Sequence, residues 1–302
     1  MIRSFEEIYA KVASLPKKQL VAAWAVDDHT IGAASEAVAQ GLVDATLVGD
    51  RTLIERVCTE HQIDISQFRV VHISDEAQAV GISIELIHAG EGDMLMKGLC
   101  STDKYMRGIL NKEKGLLPPK VVLSHVSIFS HPGYHKLLLA SDIAVIPAPD
   151  LNQKIAIARY LVSVGRKLGI EKPKIAVLAG TEQMLPAMQA CVDGAILSKM
   201  ADRSQIKNCI IDGPLSLDTA ISKESAAIKK LKSEVAGDAD CLLFPNIEAG
   251  NVFYKTIGQL TPNARIAAVV AGAKVPCMLS SRSDSTDTKL NSIIFAALMS
   301  ER

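Results

Sequence analysis

Residues 20–41, L-V-A-A-W-A-V-D-D-H-T-I-G-A-A-S-E-A-V-A-Q-G, pass from an apolar run through a short polar turn into a small-residue stretch that ends on glycine. The apolar run at 20–26 predicts a buried strand, and Asp27 to Thr30 a turn that caps a helix. That helix runs to Gln40 and is closed by Gly41. The unit is strand, turn, helix, and its neighbours repeat it. Strands are predicted at 45–48, 69–73 and 94–97, with helices at 51–60 and 76–89 between them. Ahead of the first strand, Ser4 and Glu7 form a capping box, and Phe5, Ile8, Tyr9, Val12 and Leu15 recur at helical spacing. Such alternation predicts parallel strands joined by right-handed crossovers.

Leu116 to Lys120, L-L-P-P-K, interrupts the series and predicts a lobe boundary. A second series follows, with strands expected at 143–147, 175–179, 208–212 and 241–245. Segments 267–271 and 275–280 are expected to return to the first lobe. The 302-residue length suits two lobes. A 48% hydrophobic chain with only 4% aromatics implies a core of Val, Ile, Leu and Ala, as in parallel sheets covered by helices on both faces.

Thirty-three basic and 33 acidic residues cancel without like-charge runs, which argues against nucleic acid and anionic membrane as partners. No apolar stretch approaches the roughly 20 residues that span a bilayer, and the start M-I-R-S-F-E-E lacks a signal-peptide apolar region. A cytoplasmic protein is expected. The six cysteines are scattered without a C-x-x-C pair, so buried free thiols are expected rather than disulfides or a metal site.

Four stretches carry candidate chemistry. In V-P-C-M-L-S-S-R-S-D-S-T-D-T-K-L (275–290) a strand gives way to a polar loop and a helix start, which suits an oxyanion or phosphate, with an ordinary N-cap beside a surface arginine as the equal competing reading. There Arg282 offers a planar fork for two phosphate oxygens, Ser281 a hydrogen bond to a leaving group, and Asp284 or Asp287 a proton acceptor. In K-G-L-C-S-T-D-K-Y-M-R-G (97–108) Lys97 ends a strand, Ser101 caps a helix beginning near Thr102, and Lys104 and Arg107 lie one turn apart, which reads first as a solvated basic helix face and second as an arrangement for the phosphates of a nucleotide-like ligand. A-G-D-A-D-C-L-L-F-P-N-I-E-A-G-N (236–251) places Asn246, Glu248, Gly250 and Asn251 at a helix start after a buried strand. I-I-D-G-P-L-S-L-D (210–218) has the same form, with Asp212 and Asp218 as acidic candidates and a plain turn with a cap as the competing reading. His131 and His135, separated by Pro132 and Gly133, read as loop histidines. No dinucleotide, Walker or nucleophile-elbow fingerprint is present.

Seven ordered strings, K-G-L-C-S-T-D-K-Y-M-R, A-P-D-L-N-Q-K, K-M-A-D-R-S-Q-I, I-D-G-P-L-S-L-D-T-A-I-S, V-A-G-D-A-D, E-A-G-N and S-S-R-S-D-S, resemble the phosphate acetyltransferase and phosphate butyryltransferase family, more closely its butyryl branch. The resemblance implies transfer of a short acyl group between coenzyme A and inorganic phosphate, with both as substrates, no bound cofactor or metal, and no covalent enzyme intermediate. It also implies a homodimer or dimer-based oligomer. The implied fold has two α/β lobes of the isocitrate/isopropylmalate dehydrogenase type, residues 1–119 plus 268–302 and residues 120–267, with the site in the cleft between them. In the acetyl branch an adjacent serine and arginine act on the phosphoryl group; Ser281 and Arg282 match them. The aspartate that serves there as base lies seven residues after the serine, where this chain has Thr288, so Asp287 beside it and Asp284 both stand as candidates. Arg107 resembles the arginine used toward coenzyme A. Two other readings compete: a metal- and NAD-dependent decarboxylating dehydrogenase, with Asp212, Asp218, Asp238 and Asp240 as its acidic residues, and a non-catalytic acyl-coenzyme A binding protein.

Overall fold

The structure, a computed structural model, describes residues 1–279 and 284–300. The chain divides into two compact units, Phe5–Leu123 with Ala267–Arg302, and Met1–Ser4 with Ser124–Ile266. The first of these opens with α1 (Phe5–Ala13) and continues β1 (Lys18–Ala23), α2 (Asp28–Ala39), β2 (Val43–Gly49), α3 (Arg51–Glu60), β3 (Arg69–His72), α4 (Glu76–His88), β4 (Met94–Lys97) and α5 (Thr102–Ile109). The quoted opening stretch gives the expected strand, turn and helix, except that β1 starts at Lys18 and ends at Ala23, short of the expected end at Val26, where Trp24 takes φ +55°. Asp27 accepts from the Thr30 amide at the start of α2, and the far end closes with Gly41 N–H to Val38 and Leu42 N–H to Ala37, Gly41 having φ +71°.

The second unit contains β5 (Ser124–Ser130), β6 (Leu138–Ser141), α6 (Leu151–Lys167), β7 (Lys174–Leu178), α7 (Gln189–Asp202), β8 (Ile210–Leu215), α8 (Leu217–Ile221), α9 (Lys223–Ile228), β9 (Cys241–Leu243) and α10 (Ile247–Leu260). Its strand order is β5-β6-β9-β7-β8. Pairing is parallel from β6 onward, but β5 and β6 run antiparallel, with Ile128 opposite Leu139. Residues 143–147 do not form the expected strand. The Asp142 carboxylate instead accepts from the amides of Ala144 and Val145 at 2.8 and 2.9 Å, and so takes the donors a ladder would need.

The chain returns through β10 (Arg265–Ala271), β11 (Cys277–Met278) and α11 (Thr286–Met299). In this unit the order is β3-β2-β1-β4-β11-β10, parallel except that β10 and β11 are antiparallel. The all-parallel expectation is therefore corrected at one strand pair in each unit. From Lys289 to Met299 every residue of α11 is buried, the mark of a helix enclosed on all sides by its own unit.

Two polar clusters in the second unit act as staples. Lys154 of α6 and Asp193 of α7 are each almost fully buried and meet at 2.6 Å, while Gln189 donates to the other Asp193 oxygen at 2.8 Å. Lys154→Ala strands a buried carboxylate and is expected to cost about 3–5 kcal/mol, whereas Lys154→Met with Asp193→Leu should come close to wild type; denaturant midpoints distinguish the two. At the amino ends of β7 and β9, Asp238 accepts from His135, Lys136 and Lys174, and Asp240 pairs with Lys136 at 2.6 Å. These two aspartates are engaged by lysines. They lie at the strand ends opposite the one from which Asp218 follows β8, so the four aspartates do not make one ligand set.

Candidate active site

The registers bring the carboxyl ends of three adjacent parallel strands together. Ala23 of β1 pairs with Lys97 of β4, and Met278 of β11 pairs with Met96. Open α/β sheets bind ligands at such an edge, because each strand hands over to a helix whose first N–H groups lack intrahelical partners. Here α2, α5 and α11 all start at it. Their caps are Asp27, Ser101 and Ser285, which accept from the amides of Thr30, Lys104 and Thr288. The α2 and α11 starts lie side by side: His29 Nδ1 is 3.1 Å from Thr286 Oγ1, and a Cβ on Gly32 would sit 3.4 Å from Thr286 Cγ2.

Two lysines are buried at this edge, Lys97 at 2% and Lys289 at 3% exposure. Burial lowers the proton affinity of Lys289, against the attraction of Asp27, Asp284, Asp28 and Cys100. Burial also pushes the Cys100 thiol up to about 11, with Lys97 pulling the other way, so Cys100 is a thiol and not a nucleophilic thiolate at neutral pH. Among the described residues, Asp27 Oδ2 and Thr30 Oγ1 are buried side-chain atoms with no hydrogen-bond partner. The sequence showed Asp27 to Thr30 as a turn with a helix cap, not as part of a site, and gave Lys289 no role. A lysine in the first turn of a helix that is otherwise buried was the available signal.

Of the residues expected to do chemistry, Ser281 and Arg282 lie outside the described residues. Asp284 is half-buried and within electrostatic reach of Lys289, whereas Asp287 is exposed on the first turn of α11. Ser101 caps α5 as predicted, and Thr102 is its first residue. Lys104 and Arg107 do not act as a pair. Lys104 is held by Glu76, which also accepts from the Ser101 amide, and Glu76 raises its proton affinity. Arg107 is exposed and its Nε meets Asp103 at 3.0 Å. A surface pair of that kind is weak enough to exchange for a phosphate.

Asn246, Glu248, Gly250 and Asn251 lie in the other unit. Asn246 caps α10 by accepting from Ala249 at 3.0 Å, Glu248 is exposed, and Asn251 donates to the Ile143 carbonyl at 3.2 Å. Gly250 is required by packing, since a Cβ there would stand 2.6 Å from the Asp142 carbonyl oxygen. Beyond β7 and β8, Ser216 departs from the expected plain cap. Its side chain makes no cap bond and donates instead to Glu182, which also accepts from Thr219 at 3.1 Å and Lys229 at 3.0 Å. Burial alone would raise Glu182, yet hydrogen bonds from Ser216, Lys229 and Thr219 bring it to about 2. A carboxylate depressed in the folded state stabilises above its unfolded pKa, and the contribution fades as pH falls from about 4.5 toward about 2. Glu182→Gln is thus expected to be less stable than wild type above pH 5, with the gap closing below pH 3 in an acid-unfolding series.

Residues 76–297 match the family described as phosphate acetyl/butaryl transferase. The chain is 42% identical over 299 residues to a phosphate butyryltransferase of Clostridium acetobutylicum, covering 99% of each chain. It is 39% identical over 302 residues to a phosphate butyryltransferase of Clostridium beijerinckii, covering 100% of this chain and 99% of that one. A branched-chain phosphotransacylase from Enterococcus faecalis V583 superposes with TM-score 0.81 at 28% identity, covering 94% of this chain and 100% of that one. The protein belongs to the phosphate acetyl/butyryl transferase family.

Proposed function

We propose that the protein exchanges a short acyl group, butyryl by preference, between coenzyme A and inorganic phosphate. The observation that carries this is the meeting of three capped helix starts and two buried lysines at one strand edge, in a chain related to butyryl-transferring proteins. That edge favours a dianion and a developing oxyanion. In the direction of coenzyme A acylation, Asp284 takes the thiol proton, the sulfur forms a bond to the acyl carbon, and the carbon–oxygen bond to phosphate breaks with its electron pair leaving on phosphate. Arg282 and Ser281 hold that leaving group. In the direction of acyl phosphate formation, a phosphate oxygen attacks the thioester and the departing thiolate recovers its proton from Asp284. The raised thiol at Cys100 accords with direct transfer. Lys97, Ser101, Thr102 and Arg107 are proposed to bind phosphate or coenzyme A, with Asn246, Glu248, Gly250 and Asn251 as further substrate residues.

The substrates are acyl-coenzyme A and phosphate, with no further bound group, in a cytoplasmic dimer-based oligomer. The lobes are proposed as residues 1–119 plus 268–302 and 120–267, of the isocitrate/isopropylmalate dehydrogenase type; the two compact units support that division. The test is thiol release from acetyl-, propionyl- and butyryl-coenzyme A with and without phosphate. Phosphate-dependent release, fastest with butyryl, is expected. Release without phosphate would mean a thioesterase and would overturn the reading.

A further inference from the structure

Trp24, the chain's only tryptophan, stands where its backbone disfavours it. Just past the carboxyl end of β1 it takes φ +55°, a left-handed conformation that glycine or asparagine enters at little cost and a bulky side chain does not. Every other described non-glycine residue with positive φ is polar. The surroundings hold the conformation. Ala25 donates to the Val48 carbonyl of β2 at 3.1 Å, and the Trp24 carbonyl accepts from Val26 at 3.1 Å and from Leu99 at 3.0 Å. Gly98 completes the fit, since a Cβ there would stand 2.3 Å from the Trp24 carbonyl oxygen. Strain over-determined in this way clusters at functional sites.

Trp24 is half-buried and Leu99 is 43% exposed, so two large apolar residues are left partly in water on segments joined by a backbone hydrogen bond. They sit at the strand edge already described. Ala23, just before Trp24, pairs with Lys97 of β4, and the other neighbour of β4 is β11, which leads in sequence to Ser281 and Arg282. Phosphate binding at that edge gives no use to an accessible tryptophan and leucine, whereas a substrate with an aliphatic chain does.

We propose that Trp24 and Leu99 form the wall on which the acyl chain of the substrate lies, with Trp24 setting the length of chain accepted. The inference rests on the acyl-transfer reading of this edge.

Trp24→Gly suits the backbone angle and removes the wall, so it should fold and accept longer chains. In phosphate-dependent thiol release, its kcat/KM ratio for hexanoyl- over butyryl-coenzyme A is expected to rise about tenfold or more as the added methylenes gain room. Trp24→Phe should fall between that variant and wild type, and serves if the glycine variant does not fold; Leu99→Ala should shift the ratio the same way. With a single tryptophan, the emission of the wild-type protein should move to shorter wavelength with butyryl-coenzyme A and stay in place with free coenzyme A. A ratio within about twofold of wild type in both Trp24→Gly and Leu99→Ala overturns the inference. So does an equal emission shift with both ligands, which would put the coenzyme itself at Trp24. Either result leaves the acyl-transfer reading standing, provided wild type releases thiol only with phosphate. A wild type that fails to do so removes that reading, and this inference with it.

Discussion

Arg282→Ala is expected to lower acyl-phosphate formation by roughly a thousandfold or more while the melting temperature and helical signal stay at wild-type values. The reacting phosphoryl group carries up to two negative charges, which concentrate on oxygen as the carbon–oxygen bond breaks. One neutral donor aimed at such an oxygen is worth about 3–4 kcal/mol. A guanidinium adds charge and a second parallel hydrogen bond, so its removal should cost at least as much. Arg282→Lys should recover only part of the rate, since an ammonium supplies charge without the planar fork. Arg282 itself lies outside the described residues, and the assignment is supported by what flanks it: β11 ending beside β4, and the α11 start with Asp284 and Lys289. Activity in Arg282→Ala within tenfold of wild type, in coupled assays of both directions, would remove the residue from the site.

The legible parts of the fold were those in which one signal dominated. β1 and β4 are carried by apolar runs, Leu20–Ala23 and Met94–Met96, and α3 was predicted to its bounds because Asp50 before it and the apolar spacing within it agree. β5 was missed for a physical reason. Ser124, His125 and Ser127 are buried in it, yet their polar atoms are satisfied by Ser141, Asp142 and one another, so a strand of the core does not look apolar. The same Asp142 turned the apolar segment 143–147 into a loop. In the site, the caps at Asp27 and Ser101 were readable from local sequence. The partners were not, because Glu76 reaches Lys104 across 28 positions and Glu182 reaches Lys229 across 47. Charge that reads as ligand-binding in one dimension can already be spent in three.

The largest remaining effect concerns the base. Asp284→Asn is expected to reduce turnover about 10²–10⁴-fold, the range for a positioned proton acceptor, whereas Asp287→Asn should stay within a few-fold of wild type. Family position alone pointed as much to Asp287, beside Thr288, as to Asp284. The structure separates them by environment. Asp287 is exposed on the first turn of α11, where an acidic residue is accounted for by the helix dipole alone. Asp284 is half-buried and within electrostatic reach of the buried Lys289 side chain. A free thiol near pKa 8.5 is only a few per cent thiolate at neutral pH, so the penalty of losing the base should shrink as pH rises toward 9 and the thiol ionises unaided. Asp284→Asn should therefore show a pH profile still climbing where wild type is flat, and Asp287→Asn should follow wild type throughout. The reverse pattern would place the base at Asp287 and leave Asp284 as an ordinary loop residue ahead of the Ser285 cap.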